Sequence, residues 1–338
     1  YHTQCFSGMM KGKRTPSGAG SSGNGAGQLS QGRNSTNCGV TVMDLEQSAF
    51  EALRFASAQS LKLYKQPLVI TYSGGKDSDV LLRLAINSGI PFEALHSLTT
   101  ADAPETVYHV RDTFRRLEEK GVKCVIDAHV QPDGSRMTMW NLIPRKMMPP
   151  TRLVRYCCAV LKEGGGKGRF IATGVRWAES TKRKNNRGII EVQTRDSKKK
   201  LLLMNDNDEA RMQFETCQLK GRRTVNPIVG WSTADVWDYV ASEHIPMNPL
   251  YRCGFCRVGC IGCPMAGKHR KEEFARYPKI KMAYIRAFDR MLEERRRRGK
   301  MAGGMRWGET GLDVFHWWME NDVLPGQEVL EEFREDLL

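Results

Sequence analysis

Two groups of residues in this 338-residue chain have types and spacings suited to chemistry. The first is Ser73-Gly74-Gly75-Lys76-Asp77-Ser78. Adjacent glycines let a backbone turn tightly and approach a ligand with no Cβ in the way. Ser73 and Ser78 add hydroxyl donors, and Lys76 adds a mobile positive charge. An apolar, strand-like run at 68–72 leads in and a helical pattern from Val80 to Ala85 leads out. The free N–H groups of that helix start would therefore face an anion held by the loop. The expectation is a phosphate site, although the loop lacks the four-residue spacer of the Gly-x4-Gly-Lys-Ser/Thr type. An ordinary strand-to-helix turn would explain the glycines, but not Lys76, Asp77 and the two serines.

The second group is made of cysteines. Cys253 and Cys256 form one Cys-x-x-Cys pair, Cys260 and Cys263 form another, and Cys157 and Cys158 stand in tandem upstream. Thiolates bind soft metals, and two-residue spacing lets two sulfurs reach one centre. Two solutions are open. Cys253, Cys256, Cys260 and Cys263 would make a local zinc knuckle, whereas Cys157, Cys158, Cys260 and Cys263 would hold an iron–sulfur cluster. No apolar run reaches bilayer length and the N-terminus lacks a signal-peptide pattern, so a cytoplasmic protein with no membrane partner is expected. In that compartment disulfides rarely persist, and the ten cysteines read as thiols or metal ligands. Cys5 and Cys38 read as bystanders.

The elements that must position these groups follow from periodicity and punctuation. Helical spacing runs from Asp44 to about Tyr64. Strand-like runs at 68–72, 92–98, 122–126 and 170–173 alternate with helical patterns, one of which is opened by Pro104 and stopped by Gly121. This order predicts an α/β fold: a parallel twisted sheet with right-handed crossovers and helices on both faces. Ligands bind such sheets beyond the carboxyl ends of the strands. The Ser73 loop, the Thr99-Thr100-Ala-Asp102 segment and Gly174-Val-Arg176-Trp-Ala-Glu179-Ser180 all fall at such ends. Asp102 is suited to accept ribose hydroxyls or to cap the helix that follows it.

Residues 127–150, with four prolines, read as an irregular insertion. Residues 152–162 read as a helix, 182–200 as a polar, basic excursion, and 201–204 as a short strand. Ser232 and Asp235 resemble a capping box whose helix would turn Trp237 and Val240 to the core; His244 near its end reads as a helix-end or pocket-wall residue. Residues 270–298 carry a long amphipathic pattern, and Phe315, Trp317 and Trp318 complete a C-terminal helical cap. Residues 1–40, rich in Gly, Ser, Asn and Gln, cannot offset the entropy of ordering and read as a disordered tail. The expected division is a tail at 1–40, a nucleotide and metal domain at 41–266, and a helical extension at 267–338. The net charge of +14 lies partly in that tail. Basic runs at 182–184, 198–200 and 295–298 make nucleic acid a candidate partner on charge alone. The same runs would equally suit solvated loops or, at 295–298, a helix C-terminus.

The loop resembles the PP-loop of the adenine-nucleotide α-hydrolase-like superfamily, a HUP-like fold. Ser73 to Ser78, Tyr156 to Lys162, Gly174 to Ser180, Trp231 to Val240 and Asn248 to Met265 look like the successive motifs of the phosphoadenosine phosphosulfate (PAPS) reductase family. The resemblance implies ATP or another adenine nucleotide on Ser73, Gly74, Gly75, Lys76, Asp77 and Ser78, with Asp102 and Glu179 beside it. Lys76, Asp77 and Arg176 would be catalytic: Asp77 orients the loop or Mg2+, and Arg176 neutralises developing phosphate charge. It also implies a 4Fe-4S cluster on Cys157, Cys158, Cys260 and Cys263, leaving Cys253 and Cys256 spare. Reductases of the family use a further cysteine in a later Glu-Cys-Gly-like segment, and no cysteine follows Cys263 here. That departure turns the expectation to the sulfur-activating branch, such as the PP-loop component of DNA phosphorothioation systems. ATP would be cleaved between its α and β phosphates by adenylylating an acceptor oxygen. Sulfur from a donor protein would then displace AMP. The alternatives are sulfonucleotide reduction with release of sulfite, and a non-catalytic nucleotide- or nucleic-acid-binding subunit with structural metal.

Overall fold

The short apolar strands need cover on two faces, and the helices between them supply it. The computed structural model describes residues 42–131, 133–193, 200–204, 221–300 and 307–320. Its strands are β1 (Leu68–Thr71), β2 (Phe92–Ser97), β3 (Cys124–Asp127), β4 (Phe170–Ala172), β5 (Ile190–Gln193), β6 (Lys200–Leu203) and β7 (Arg222–Val225). They form one sheet in the order β3-β2-β1-β4-β7-β5-β6. The first five in that order pair in parallel, while β5 runs antiparallel to both β7 and β6. The chain winds outward from β1 to β3 and then returns to the other side of β1 as β4. The carboxyl ends of β1 and β4 thus flank the crevice where the winding reverses, the usual ligand position in such sheets.

Ten helices surround the sheet among the described residues: α1 (Val42–Tyr64), α2 (Lys76–Asn87), α3 (Pro104–Glu118), α4 (Met139–Lys146), α5 (Tyr156–Leu161), α6 (Thr181–Asn186), α7 (Thr233–Ser242), α8 (His269–Arg276), α9 (Pro278–Arg297) and α10 (Gly311–Glu320). None is long and apolar enough to cross a membrane. Two cores result. One joins α1, α2 and α7 to the sheet through Leu53, Ile70, Leu81, Phe170 and Val236. The other joins Leu142, Ile143 and Tyr156 to Tyr284, Phe288, Phe315 and Trp318 of the C-terminal helices. Cys157 and Cys260 pack against this second core, so residues beyond 266 share a hydrophobic interior with the cysteine segments.

Several elements differ from the sequence expectation. The 127–150 insertion contains α4, capped by Thr138, whose hydroxyl accepts the Asn141 N–H. The 270–298 pattern is two helices, because Pro278 lacks the N–H to continue α8 and instead opens α9. The helix expected at 152–162 is confined to α5. The basic excursion contains α6 and β5, and β7 precedes Asn226. Trp237 does not face the core: it is 37% exposed and sets its edge against Tyr251 at 5.3 Å. Val240 is buried as expected. The expected tail at 1–40, most of the 198–200 run, and Cys5, Cys38 and Cys217 lie outside the described residues.

Candidate functional site: a glycine loop beside a group of thiols

The Ser73–Ser78 loop leaves β1 and enters α2. Gly74 takes φ +74°, the left-handed region, and a Cβ there would meet Val110 and Thr106 at 3.0 and 3.2 Å. The loop is tied to itself by Ser78: its Oγ accepts the N–H groups of Ser73 and Gly75, each at 3.2 Å, and donates to the Gly75 carbonyl at 2.8 Å. The Ser73 hydroxyl is 3.2 Å from the same Oγ. Both expected phosphate hydroxyls thus hold the loop's own shape here. Two residues missed by the sequence reading clamp the loop from outside. Buried Asn248 donates through Nδ2 to the Gly74 carbonyl at 3.0 Å, and the Tyr251 hydroxyl accepts the Lys76 N–H at 2.9 Å.

The carboxylate of Asp77 is shared between two cations. Lys76 Nζ lies 3.0 Å from Oδ2, and Arg176 Nε lies 2.6 Å from Oδ1. Arg176 is only 2% exposed and also donates through Nη1 to the Trp231 carbonyl at 3.1 Å. Its charge therefore reaches the loop through Asp77. Glu179 accepts the Arg176 N–H at 2.9 Å and pairs with Arg183. Asp102 does not cap α3, whose N-cap is Ala103; its Oδ2 accepts the Thr99 hydroxyl at 2.6 Å and stiffens the turn after β2.

That turn carries the cysteine segment. Asp102 and Cys260 form an antiparallel bridge, Ile261 N–H donates to the Ala101 carbonyl at 2.8 Å, and the Cys260 thiol lies 3.3 Å from Thr99 Oγ1. Cys157 lies within electrostatic reach of Cys158, Cys260 and Cys263. A hydrogen bond shared with Cys158 raises the Cys157 pKa, and the same bond lowers that of Cys158, assisted by Lys162 and Arg155. Burial pushes the Cys260 thiol up to about 11 against the pull of Lys162. The Lys162 ammonium is in turn held charged, first by Cys260 and then by Asp102, Cys158 and Cys263. Cys157 thus feels the charge of Cys158, Cys260 and Cys263, and Lys162 feels that of Cys158, Cys260 and Cys263.

The other two cysteines stand apart. Cys253 lies 3.7 Å from Arg276 Nη2, and Cys256 is exposed. Among the described residues no three His, Cys, Asp or Glu side chains converge as they would around a single ion. Burial and then Arg187 disfavour the charge of Arg183, with Arg257 and Arg155 adding to the repulsion and Asp77 opposing it. A cleft of about 740 Å³ runs along α3 between Tyr108, Arg111, Arg115 and Met247.

A sequence model of the phosphoadenosine phosphosulfate reductase domain matches residues 67–266. The chain belongs to that family. The match begins one residue before β1 and ends just after the Cys260–Cys263 turn, so the PAPS reductase domain encloses the loop and the thiols together. An uncharacterized protein of Methanocaldococcus jannaschii is 27% identical over 218 residues, 64% of this chain and 40% of that protein. The adenosine 5'-phosphosulfate reductase of Bacillus cereus is 26% identical, over 66% of this chain and 82% of the relative. Sulfate adenylyltransferase subunit 2 of Pseudomonas aeruginosa is 30% identical, over 62% of this chain and 66% of the relative. The chain thus spans less than two thirds of the first of these relatives. Among solved structures, the PAPS reductase of Candida auris in a phosphate complex superposes with a TM-score of 0.40 at 18% identity, over 69% of this chain and 98% of that one.

Proposed function

We propose that this PAPS reductase-family domain is an adenine-nucleotide-dependent sulfur transferase. The reading is supported by the 248–263 segment, which meets both groups: Asn248 and Tyr251 hydrogen-bond the Ser73–Ser78 loop, and Cys260 bridges Asp102 in the turn after β2. ATP would lie with its phosphates on the loop, where Lys76 and the start of α2 attract negative charge. Asp77, fixed by Arg176, would be the residue to hold Mg2+, which would supply charge to stabilise the departing pyrophosphate. An acceptor oxygen attacks the α-phosphorus, the bond to the β-phosphate breaks, and pyrophosphate leaves. Sulfur then attacks the activated acceptor atom and AMP departs; when a persulfide is the donor, its outer sulfur forms the new bond and a thiol reductant cleaves the remaining S–S bond to free the donor. The sulfate adenylyltransferase relative supports adenylyl transfer as chemistry within reach of this sequence family.

The thiol set fits an iron–sulfur centre by its chemistry: four sulfurs from two segments, with Lys162 drawing Cys158 and Cys260 toward the thiolate and Arg155 assisting at Cys158. A 4Fe-4S cluster bound there would supply a carrier for sulfide or a brace for the two segments. Arg155, Arg183, Arg187 and Arg257 favour an anionic acceptor, for which nucleic acid is the leading class.

Pyrophosphate and AMP release from ATP, in the presence of an oligonucleotide acceptor and a persulfide donor, tests this reading. Absence of both products with any acceptor would contradict it. The Bacillus cereus relative favours a second reading, reduction of a sulfonucleotide, which sulfite release from adenosine phosphosulfate with a thiol donor would establish. Reduction by direct thiol attack would require Cys253 or Cys256 if the other four cysteines hold a cluster; Ser variants of those two decide that point.

A further inference from the structure

Among the described residues three hydroxyls hydrogen-bond atoms of the Ser73–Ser78 loop, and of these only that of Tyr251 keeps an uncommitted proton. The Ser73 hydroxyl is taken up by Ser78 Oγ, and that of Ser78 by the Gly75 carbonyl. The Tyr251 hydroxyl accepts the Lys76 N–H, the first N–H of α2, and its own proton has no acceptor among the described residues. A phenol has one proton and can accept and donate at once. Here it stands where an anion's oxygen would meet the helix start, and it can pass the polarity of that N–H onward to a ligand.

The ring is held in this position by two independent features. Trp237 sets its edge against it with ring planes at 90°. At the other end of the same 3-10 turn (Pro249–Cys253), Asn248 accepts the Leu250 N–H and donates to the Gly74 carbonyl. Burial pushes the Tyr251 phenol well above its ordinary range, with the charges of Asp77 and Asp79 adding to the shift, so it remains a donor at neutral pH. This also explains an aromatic that the sequence placed in the core: Trp237 faces Tyr251 at the surface.

We infer that Tyr251 is a phosphate-binding residue of the nucleotide site, accepting the Lys76 N–H while donating its own proton to a nucleotide phosphate oxygen. The inference rests on the reading of the Ser73–Ser78 loop as a nucleotide site and adds a ligand that the loop motif does not contain. It also places one ligand on the turn that leads into Cys253 and Cys256.

The test is equilibrium titration of the full chain with ATP and with adenosine, for wild type and Tyr251→Phe. The variant keeps the ring and its contact with Trp237 and loses only the hydroxyl. ATP should bind roughly ten- to a hundredfold more weakly to the variant, with adenosine affinity unchanged, because a hydrogen bond to a charged group is lost. In the wild type, ATP but not adenosine should slow amide hydrogen exchange in the peptide covering 249–256. Equal weakening of both ligands, no weakening, or no protection of that peptide overturns the role of Tyr251. A wild type that binds ATP no more tightly than adenosine overturns the phosphate loop itself, and the inference with it.

Discussion

Asp79 stands one turn into α2, directly behind the loop, with its carboxylate sealed among protein atoms. Its Oδ1 accepts the Tyr72 hydroxyl at 2.5 Å and lies 3.0 Å from His109 Nε2, while Oδ2 has no partner. Burial raises its pKa, and the contacts with His109 and Tyr72 pull it partly back. Removing the phenol with Tyr72→Phe should cost about 1–3 kcal/mol in urea unfolding, the usual cost of a buried polar group losing its partner. A carboxyl whose folded pKa exceeds its unfolded value of about 4 contributes fully when protonated, below that value, and loses the contribution as pH rises through its folded pKa. The stability of wild type relative to Asp79→Asn should therefore fall as pH climbs from about 4. A difference that stays constant from pH 4 to pH 7 would show that Asp79 titrates normally. At this scale the sequence exposes what is local. Ser73 to Ser78 are contiguous, and their chemistry is legible in order. The partners that define them are not: Arg176 meets Asp77 across 99 positions and Tyr251 meets Lys76 across 175. No spacing rule connects residues so far apart.

Elements, rather than side chains, set how closely the segments around the crevice approach. The turn after β4 presses Gly174 against the first turn of α2, where an added Cβ would lie 2.8 Å from the Asp77 carbonyl oxygen. Backbone atoms cannot yield as a flexible side chain can, so Gly174→Ala should shift α2 or the turn. The expected cost is about 1–3 kcal/mol of stability, by analogy with overpacked cores, with weaker ATP binding in the same titration. Unchanged melting and unchanged affinity would mean that the two segments are free to separate. The alternation of strand and helix through β4 was legible because each apolar run is bounded by glycine, proline or polar residues. Beyond it the reading failed at β5 and β7, which are four residues each and interleaved with charge: Ile190-Glu-Val-Gln193 and Arg222-Arg-Thr-Val225. Their hydrophobic content is too small for a periodic signal, and pairing partners supply what the sequence lacks. The break at Tyr277–Pro278 was legible in principle, since proline lacks an N–H, but the amphipathic pattern runs across it unbroken.

The Ser73–Ser78 loop is flanked by Tyr72 and Val80 of one core, and Cys157 and Cys260 lean on the other. Trp318 anchors the second core. It is fully buried, donates its indole N–H to the Pro150 carbonyl at 2.6 Å, and lies under the Arg270 guanidinium at 4.1 Å. Tyr284, 4.8 Å from its ring centre, donates to the Ile261 carbonyl between Cys260 and Cys263. Trp318→Ala should therefore cost about 3–5 kcal/mol in thermal or urea unfolding and should loosen the thiol segment before the sheet. In hydrogen exchange the peptide covering 258–265 should lose protection while that covering β1 keeps it; uniform loss across both would contradict this separation. The proposed sulfur transfer requires that Cys157, Cys158, Cys260 and Cys263 form one centre beside the Ser73–Ser78 loop. Iron, zinc and acid-labile sulfide should be measured in the anaerobically purified chain, before and after Cys157→Ser and Cys158→Ser. About four irons and four sulfides per chain, lost in both variants, are predicted. About one zinc per chain that survives both substitutions would contradict the account.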